Sequence, residues 1–105
     1  MNINDYQDKA YTTALPSARN SNYMLLGLLN EAGEMTGVVK KYLRGDYGDE
    51  IMLQKLTKEI GDTLWYLAGF ASTMGINLDE IAQANLDKLQ DRMKRGVLMG
   101  DGDNR

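Results

Sequence analysis

The sequence predicts an all-α fold: four helices in a single domain over residues 1–105. Three observations carry that reading. Apolar residues recur at spacings of three and four over two long stretches, the helical period. No run of alternating apolar and polar residues is long enough to mark a strand. Pro16 and most of the glycines fall between the periodic stretches rather than inside them.

The first helix is expected over about 3–14, capped by Asn2 or Asn4, with Tyr6, Ala10 and Thr13 on one face and Pro16 beyond its end. The second is expected over about 21–44 from a Ser21 cap. Leu25, Leu28, Leu29, Ala32, Met35, Val39, Tyr42 and Leu43 give it a broad apolar face. The third is expected over about 50–74 from an Asp49 cap, with a stripe of Ile51, Leu53, Leu56, Ile60, Leu64, Leu67, Phe70, Ala71 and Met74, stopped by Gly75. The fourth is expected over about 78–95, where Asn77 and Glu80 have the spacing of a capping box and Gly96 ends the helix. Residues 97–105 are expected to be a mobile tail. Helices two and three are apolar on more than one side, which predicts a second copy of the chain against them, in a dimer or tetramer.

Composition narrows the chemistry. The chain has 43% hydrophobic residues and a net charge of -3. An acidic balance argues against a nucleic-acid partner, which favours a basic face. No segment reaches the roughly 20 apolar residues of a membrane span, and no signal peptide is visible at the N-terminus, so the expected location is the cytoplasm. There is no cysteine and no histidine. That excludes disulfides, zinc sites built on Cys or His, and Ser-His-Asp triads. Any catalysis must rest on carboxylates, lysines, tyrosines and a hard metal ion.

Two acidic pairs stand out: Glu31 with Glu34, and Glu59 with Asp62. Between them lies the helix-breaking segment Gly45-Asp46-Tyr47-Gly48, and the midpoint of positions 31 and 62, 46.5, falls inside it. On two antiparallel helices joined there, both pairs lie at one height, about 16–18 Å from the hairpin end at ~1.5 Å rise per residue. Residues three apart share a helix face, so the four carboxylates are expected to converge. Four such anions repel by about 3 kcal/mol per pair at ~5 Å and an effective dielectric of ~20. A hard divalent cation reverses the sign of that cost. A solvated acidic face is the ordinary reading of such pairs. Against it, Glu31 interrupts the stripe between Leu28 and Met35, Glu59 lies between Leu56 and Tyr66, and Asp62 is a poor helix former at a mid-helix position. Gly33 and Gly61, each inside an acidic pair, predict close packing of the two helices there.

Glu31-x-x-Glu34, 24 intervening residues, and Glu59-x-x-Asp62 resemble the signature of the all-α nucleoside triphosphate pyrophosphohydrolases, the MazG-like superfamily. The contexts Leu26-Gly27-Leu28-Leu29-Asn30-Glu31 and Glu59-Ile60-Gly61-Asp62-Thr63-Leu64-Trp65-Tyr66 resemble that family's two metal helices. Asn85, Lys88 and Arg92 resemble its downstream Asn-x-x-Lys pattern with a following basic residue. The resemblance runs through most of residues 3–95. It implies a four-helix MazG-like bundle, dimeric or tetrameric, with helices two and three antiparallel around the metal site. It implies Mg²⁺, with Mn²⁺ a possible substitute, held by Glu31, Glu34, Glu59 and Asp62. The implied reaction cuts a (d)NTP or a non-standard NTP between the α and β phosphates, giving the monophosphate and pyrophosphate. Asn85 and Lys88 are the implied substrate contacts, with Arg92 after them. Tyr66 is a candidate to stack on the base or bond the sugar. Lys41, with Lys40 and Arg44, is a candidate for phosphate attraction. Tyr6, Gln7 and Tyr11 are candidates to cover the nucleobase. Trp65 reads as core or interface. The competing readings are a phosphoribosyl-ATP pyrophosphohydrolase and a non-catalytic helical interaction protein.

Overall fold

The computed structural model describes residues 1–105 and contains four α-helices and no strand: α1 Ile3–Thr12, α2 Ser21–Leu43, α3 Asp49–Thr73 and α4 Leu78–Lys94. A 3-10 turn at Pro16–Ala18 separates α1 from α2. α2 and α3 form the principal contact as an antiparallel hairpin; α1 lies on α3, and α4 is held chiefly by α1. No helix is long and apolar enough to cross a membrane.

The helix ends differ from expectation by one or two residues, each for a physical reason. α1 stops at Thr12, because the chain turns there toward the Pro16 segment; the Arg19 guanidinium then ties that corner by donating to the Ala14 carbonyl at 3.0 Å. The cap of α2 is Asn20 rather than Ser21, its side-chain oxygen accepting the Tyr23 amide at 2.8 Å. Gly48 precedes α3 with no side-chain cap, and Asp49 sits in the first turn, where its carboxylate accepts the Tyr42 hydroxyl instead. Asn77 does cap α4, accepting from the Asp79 amide at 3.0 Å, but Glu80 does not complete a capping box. A side chain from α1 takes that place: Gln7 Oε1 accepts the Leu78 amide at 2.8 Å. The Gln7 amide group also donates to the Ile76 carbonyl at 2.9 Å and to Ser72 Oγ at 3.2 Å. Buried Gln7 is thus fully spent on clasping α1 to the α3–α4 turn, and not on a ligand. Gly45 and Gly75, at φ +90 and +70, allow the left-handed exits from α2 and α3.

The α2–α3 contact is closest away from the hairpin loop. A Cβ on Gly27 would lie 2.1 Å from the Tyr66 ring, and one on Gly69 would lie 2.5 Å from Met24 Sδ. Each helix therefore offers a glycine hole, and receives a large side chain from the other three residues from its own glycine. Met24 is completely buried, packed with Ala14, Ala18, Tyr11, Trp65, Tyr66 and Phe70. Trp65 also donates its indole N–H to Thr13 Oγ1 at 2.8 Å, so it helps seat α1. A second small cluster, Ala68, Ala71 and Leu78 with Ile3 and Tyr6, joins α1, α3 and the start of α4. The expected close packing at Gly33 and Gly61 does not occur: a Cβ at either would meet nothing within 4 Å.

One chain covers little of its own apolar surface. Only 10 of 105 residues are buried, while Leu25, Leu26, Leu29, Val39, Ile60 and Leu67 are exposed. The radius of gyration is 16.8 Å, against roughly 13 Å for a compact chain of this length. After Gly96 the chain turns back along α4. The Asp103 carboxylate lies 3.4 Å from Lys88 Nζ and 3.6 Å from Arg92, and the Arg105 guanidinium donates to the carbonyls of Val97 at 3.1 Å and Leu98 at 2.8 Å.

Candidate functional site

The middle of the hairpin carries the acidic residues. Glu31 from α2 and Glu59 and Asp62 from α3 place carboxylate oxygens within 4.8 Å of one another. Glu31 and Glu59 are half-buried and Asp62 is exposed, so the cluster lies at the surface rather than in the core. Burial raises the Glu31 carboxyl above its ordinary range, and the adjacent Glu59, Asp62 and Glu34 carboxylates raise it further. Glu59 Oε2 is buried with no hydrogen-bond partner. An orphaned anionic oxygen inside a cluster of like charge is costly unless a cation meets it. All the donors are hard oxygens, the set preferred by Mg²⁺ or Mn²⁺ over softer metals. The residues present therefore fit a hard divalent ion.

Glu34 is one turn from Glu31 but does not join the cluster. It faces a neighbouring cavity of about 270 Å³, also lined by Gly37, Val38, Lys41, Tyr47, Lys55, Lys58 and Glu59. Lys41 is in that cavity, whereas its sequence neighbours are not: Lys40 lines an apolar groove with Met35, Val39, Leu43, Leu56 and Ile60, and Arg44 pairs with Asp46. The sequence offers Lys55 and Lys58 only as salt-bridge partners for Glu59, a pairing that does not form, and Tyr47 only as part of the helix-breaking segment. Both lysines are ordinary surface residues by pattern, and Tyr47 sits in the hairpin loop.

Tyr66 lies beside the acidic cluster. Burial raises its hydroxyl's pKa first, then the Tyr23 hydroxyl, then the charges of Glu31 and Asp62. Its ring centroid is 6.3 Å from that of Tyr23 and 4.9 Å from that of Trp65, so it is wedged among aromatics as well as against Gly27. Tyr6 reaches the same region from α1; burial and then the Asp62 charge raise its pKa. Tyr11 is engaged elsewhere, its ring 5.1 Å beneath the Arg19 guanidinium.

The α4 residues stand apart. Asn85 is exposed, and no hydrogen bond or ion pair joins Asn85, Lys88 or Arg92 to the acidic cluster of the same chain. Lys88 and Arg92 are instead engaged by Asp103, and Arg92, 4% exposed, also donates to the Asp103 carbonyl. Both cations hold the Asp103 carboxyl below its ordinary range, Lys88 the more strongly.

Residues 19–97 match the family model of the MazG nucleotide pyrophosphohydrolase domain. The chain is also 39% identical, over 116 aligned positions and the full length of both chains, to the Gene 37 protein of Mycobacterium phage L5. No solved structure matches it.

Proposed function

The chain belongs to the MazG nucleotide pyrophosphohydrolase family, and from that premise we propose that it is a metal-dependent hydrolase cleaving a (d)NTP or a non-standard NTP to the monophosphate and pyrophosphate. The observation that carries this reading is the Glu31–Glu59–Asp62 cluster with its unpartnered Glu59 oxygen. Those three residues would hold Mg²⁺ or Mn²⁺, which when bound polarises phosphoryl oxygens and lowers the pKa of water. Glu34 has its carboxylate outside the cluster, one turn away; it can accept the proton of the attacking water. Tyr66 and Tyr6 offer hydroxyls and ring edges at the rim, suited to the sugar and base. Asn85, Lys88 and Arg92 on α4 have the chemistry to bind phosphate and sugar. Because they do not reach their own chain's carboxylates, the reading assigns them to the site of a second copy. The large exposed apolar surface of α2 and α3 supports such a homo-oligomer.

The test is a panel of NTPs, dNTPs and modified dNTPs with Mg²⁺, with products resolved chromatographically. Monophosphate plus pyrophosphate is the expected result, and the ranking of the panel names the substrate class. Diphosphate plus orthophosphate, or no turnover by folded, metal-loaded protein, overturns the reading.

A further inference from the structure

We propose that residues 97–105 form an autoinhibitory strap, which holds the Asp103 carboxylate on Lys88 and Arg92 in the place of a substrate phosphate. The inference rests on the pyrophosphohydrolase reading, which gives those two cations to the nucleotide, and it adds a competitor carried by the chain itself.

Four observations support it. The first is pairing. α4 has acids of its own beside the two cations, but they are engaged elsewhere: Asp91 pairs with Arg95 at 2.9 Å, and Asp87 accepts from the Gln83 amide group at 2.9 Å. Lys88 and Arg92 take their anion from Asp103, 15 and 11 residues further on. Like charges one helical turn apart repel, and one shared carboxylate relieves both. The second is construction. Gly100 and Gly102, at φ +152 and +83, let the chain reverse after α4. The Arg105 guanidinium closes the segment on itself through the carbonyls of Val97 and Leu98, and Arg95 fastens it to α4 by donating to the backbone oxygen of Arg105. A stretch without regular secondary structure is thereby held in one shape, with Asp103 turned to the two cations. The third is access. The Arg92 side chain is 5% exposed and meets both the carboxylate and the carbonyl of Asp103, so its guanidinium takes a ligand only when Asp103 leaves. The Asp103 side chain is 84% exposed, so solvent and a competing anion reach the contact from outside. The fourth is chemistry. A carboxylate offers two oxygens and one charge, whereas a phosphate group offers three oxygens and about -1.5 to -2 charges. The same donors serve both, with phosphate the stronger ligand, so substrate displaces the strap. Its apparent affinity is lowered by the fraction of chains in which the strap is open.

The test is calorimetric titration of the full chain with inorganic tripolyphosphate in magnesium buffer, comparing wild type with Asp103→Asn. Asp101→Asn, which makes the same change in net charge two residues away, is the control. Asp103→Asn is expected to bind about fivefold tighter, the upper range for an exposed ion pair, and Asp101→Asn to match wild type. The gain should shrink in a Lys88→Gln background, where half of the contact is already gone. In turnover of the best-cleaved triphosphate, Asp103→Asn should lower KM by a like factor and leave kcat unchanged. Equal affinity in Asp103→Asn and wild type overturns the strap, as does an equal gain in Asp101→Asn, a gain of full size without Lys88, or no tripolyphosphate binding by any variant. Turnover of triphosphate in those cases leaves the hydrolase reading standing. A fivefold gain confined to Asp103→Asn, in protein that cleaves no triphosphate, upholds the strap over an anion site and removes the hydrolase reading instead.

Discussion

The two ends of the α2–α3 hairpin are built in opposite ways. At the end remote from the loop, Met24 fills the space above Gly69 and Tyr66 the space above Gly27, under the cover of α1. At the loop end no such pair exists, and the helices part around a cavity lined by Lys41, Lys55, Lys58 and Tyr47. The acidic cluster sits on the border. A packed end fixes the height and spacing of the two helices; an open end leaves room for a ligand beside carboxylates that the packed end has positioned. Rigidity and vacancy are thus divided along one pair of helices within a few turns.

Substitutions that strike the border should have the largest effect. Asp62→Asn and Glu59→Gln are each expected to lower turnover on the order of a hundredfold to ten-thousandfold, with the circular-dichroism helix signal unchanged; near-normal turnover in both would remove the cluster from the mechanism. Next comes the packed end. Gly27→Ala drives a methyl to 2.1 Å from the Tyr66 ring, and should destabilise by about 3 kcal/mol, read as a loss of roughly 12 °C or more in Tm. Gly69→Ala meets the flexible end of Met24 and should cost less. Gln7→Ala leaves the Leu78 amide and the Ile76 carbonyl without a partner, at about 2 kcal/mol, seen as a lower urea midpoint.

The open end should respond with the opposite sign. Gly33→Ala has empty space to enter and a helical backbone to stabilise, so a gain of up to about 1 kcal/mol is expected. A loss of the size seen at Gly27 would mean that the helices also touch there. Charge gives the smallest effect. The folded Glu31 carboxyl holds its proton to higher pH than the unfolded one, so its contribution to stability is present at low pH and lost as pH rises through the folded value. In chelator, the Tm of the wild type should therefore fall more steeply than that of Glu31→Gln as pH rises above the ordinary carboxylate range; parallel curves would show that Glu31 is not under strain. Adding Mg²⁺ should raise the wild-type Tm and leave Glu31→Gln less affected.

Much of this was legible in the sequence, because helix period and i, i+3 spacing are local properties. The four helices, the antiparallel pair and the acidic centre follow from them. What counting along the chain could give was height, not rotation: it put Glu34 level with Glu59 but could not tell that Glu34 turns to the lysine cavity while Glu31 meets Glu59 and Asp62. The same mirror about position 46.5 that relates Glu31 to Asp62 also relates Met24 to Gly69 and Gly27 to Tyr66. Applied to the glycines, it finds the knob-and-hole contact and passes over Gly61, which faces Ala32, but it also sets Gly33 level with Ile60, where no contact forms. Gln7 and Tyr47 lay beyond such reasoning, since each acts through a bond to backbone distant in the sequence or folded back by a loop.

The Gln7 clasp sets an order of assembly. α2 and α3, joined by five residues, can form their contact from neighbouring chain, the kind of contact that closes early. α4 has no such neighbour. Its first turn is anchored by a side chain of α1, so the fourth helix is fastened to the first across the hairpin that separates them in the sequence. In the native protein the sequence of events runs backwards: when α1 lifts, the amide of Leu78 loses its acceptor, and hydrogen exchange at the start of α4 should rise and fall with that of α1 as one opening unit, while the hairpin between them stays closed.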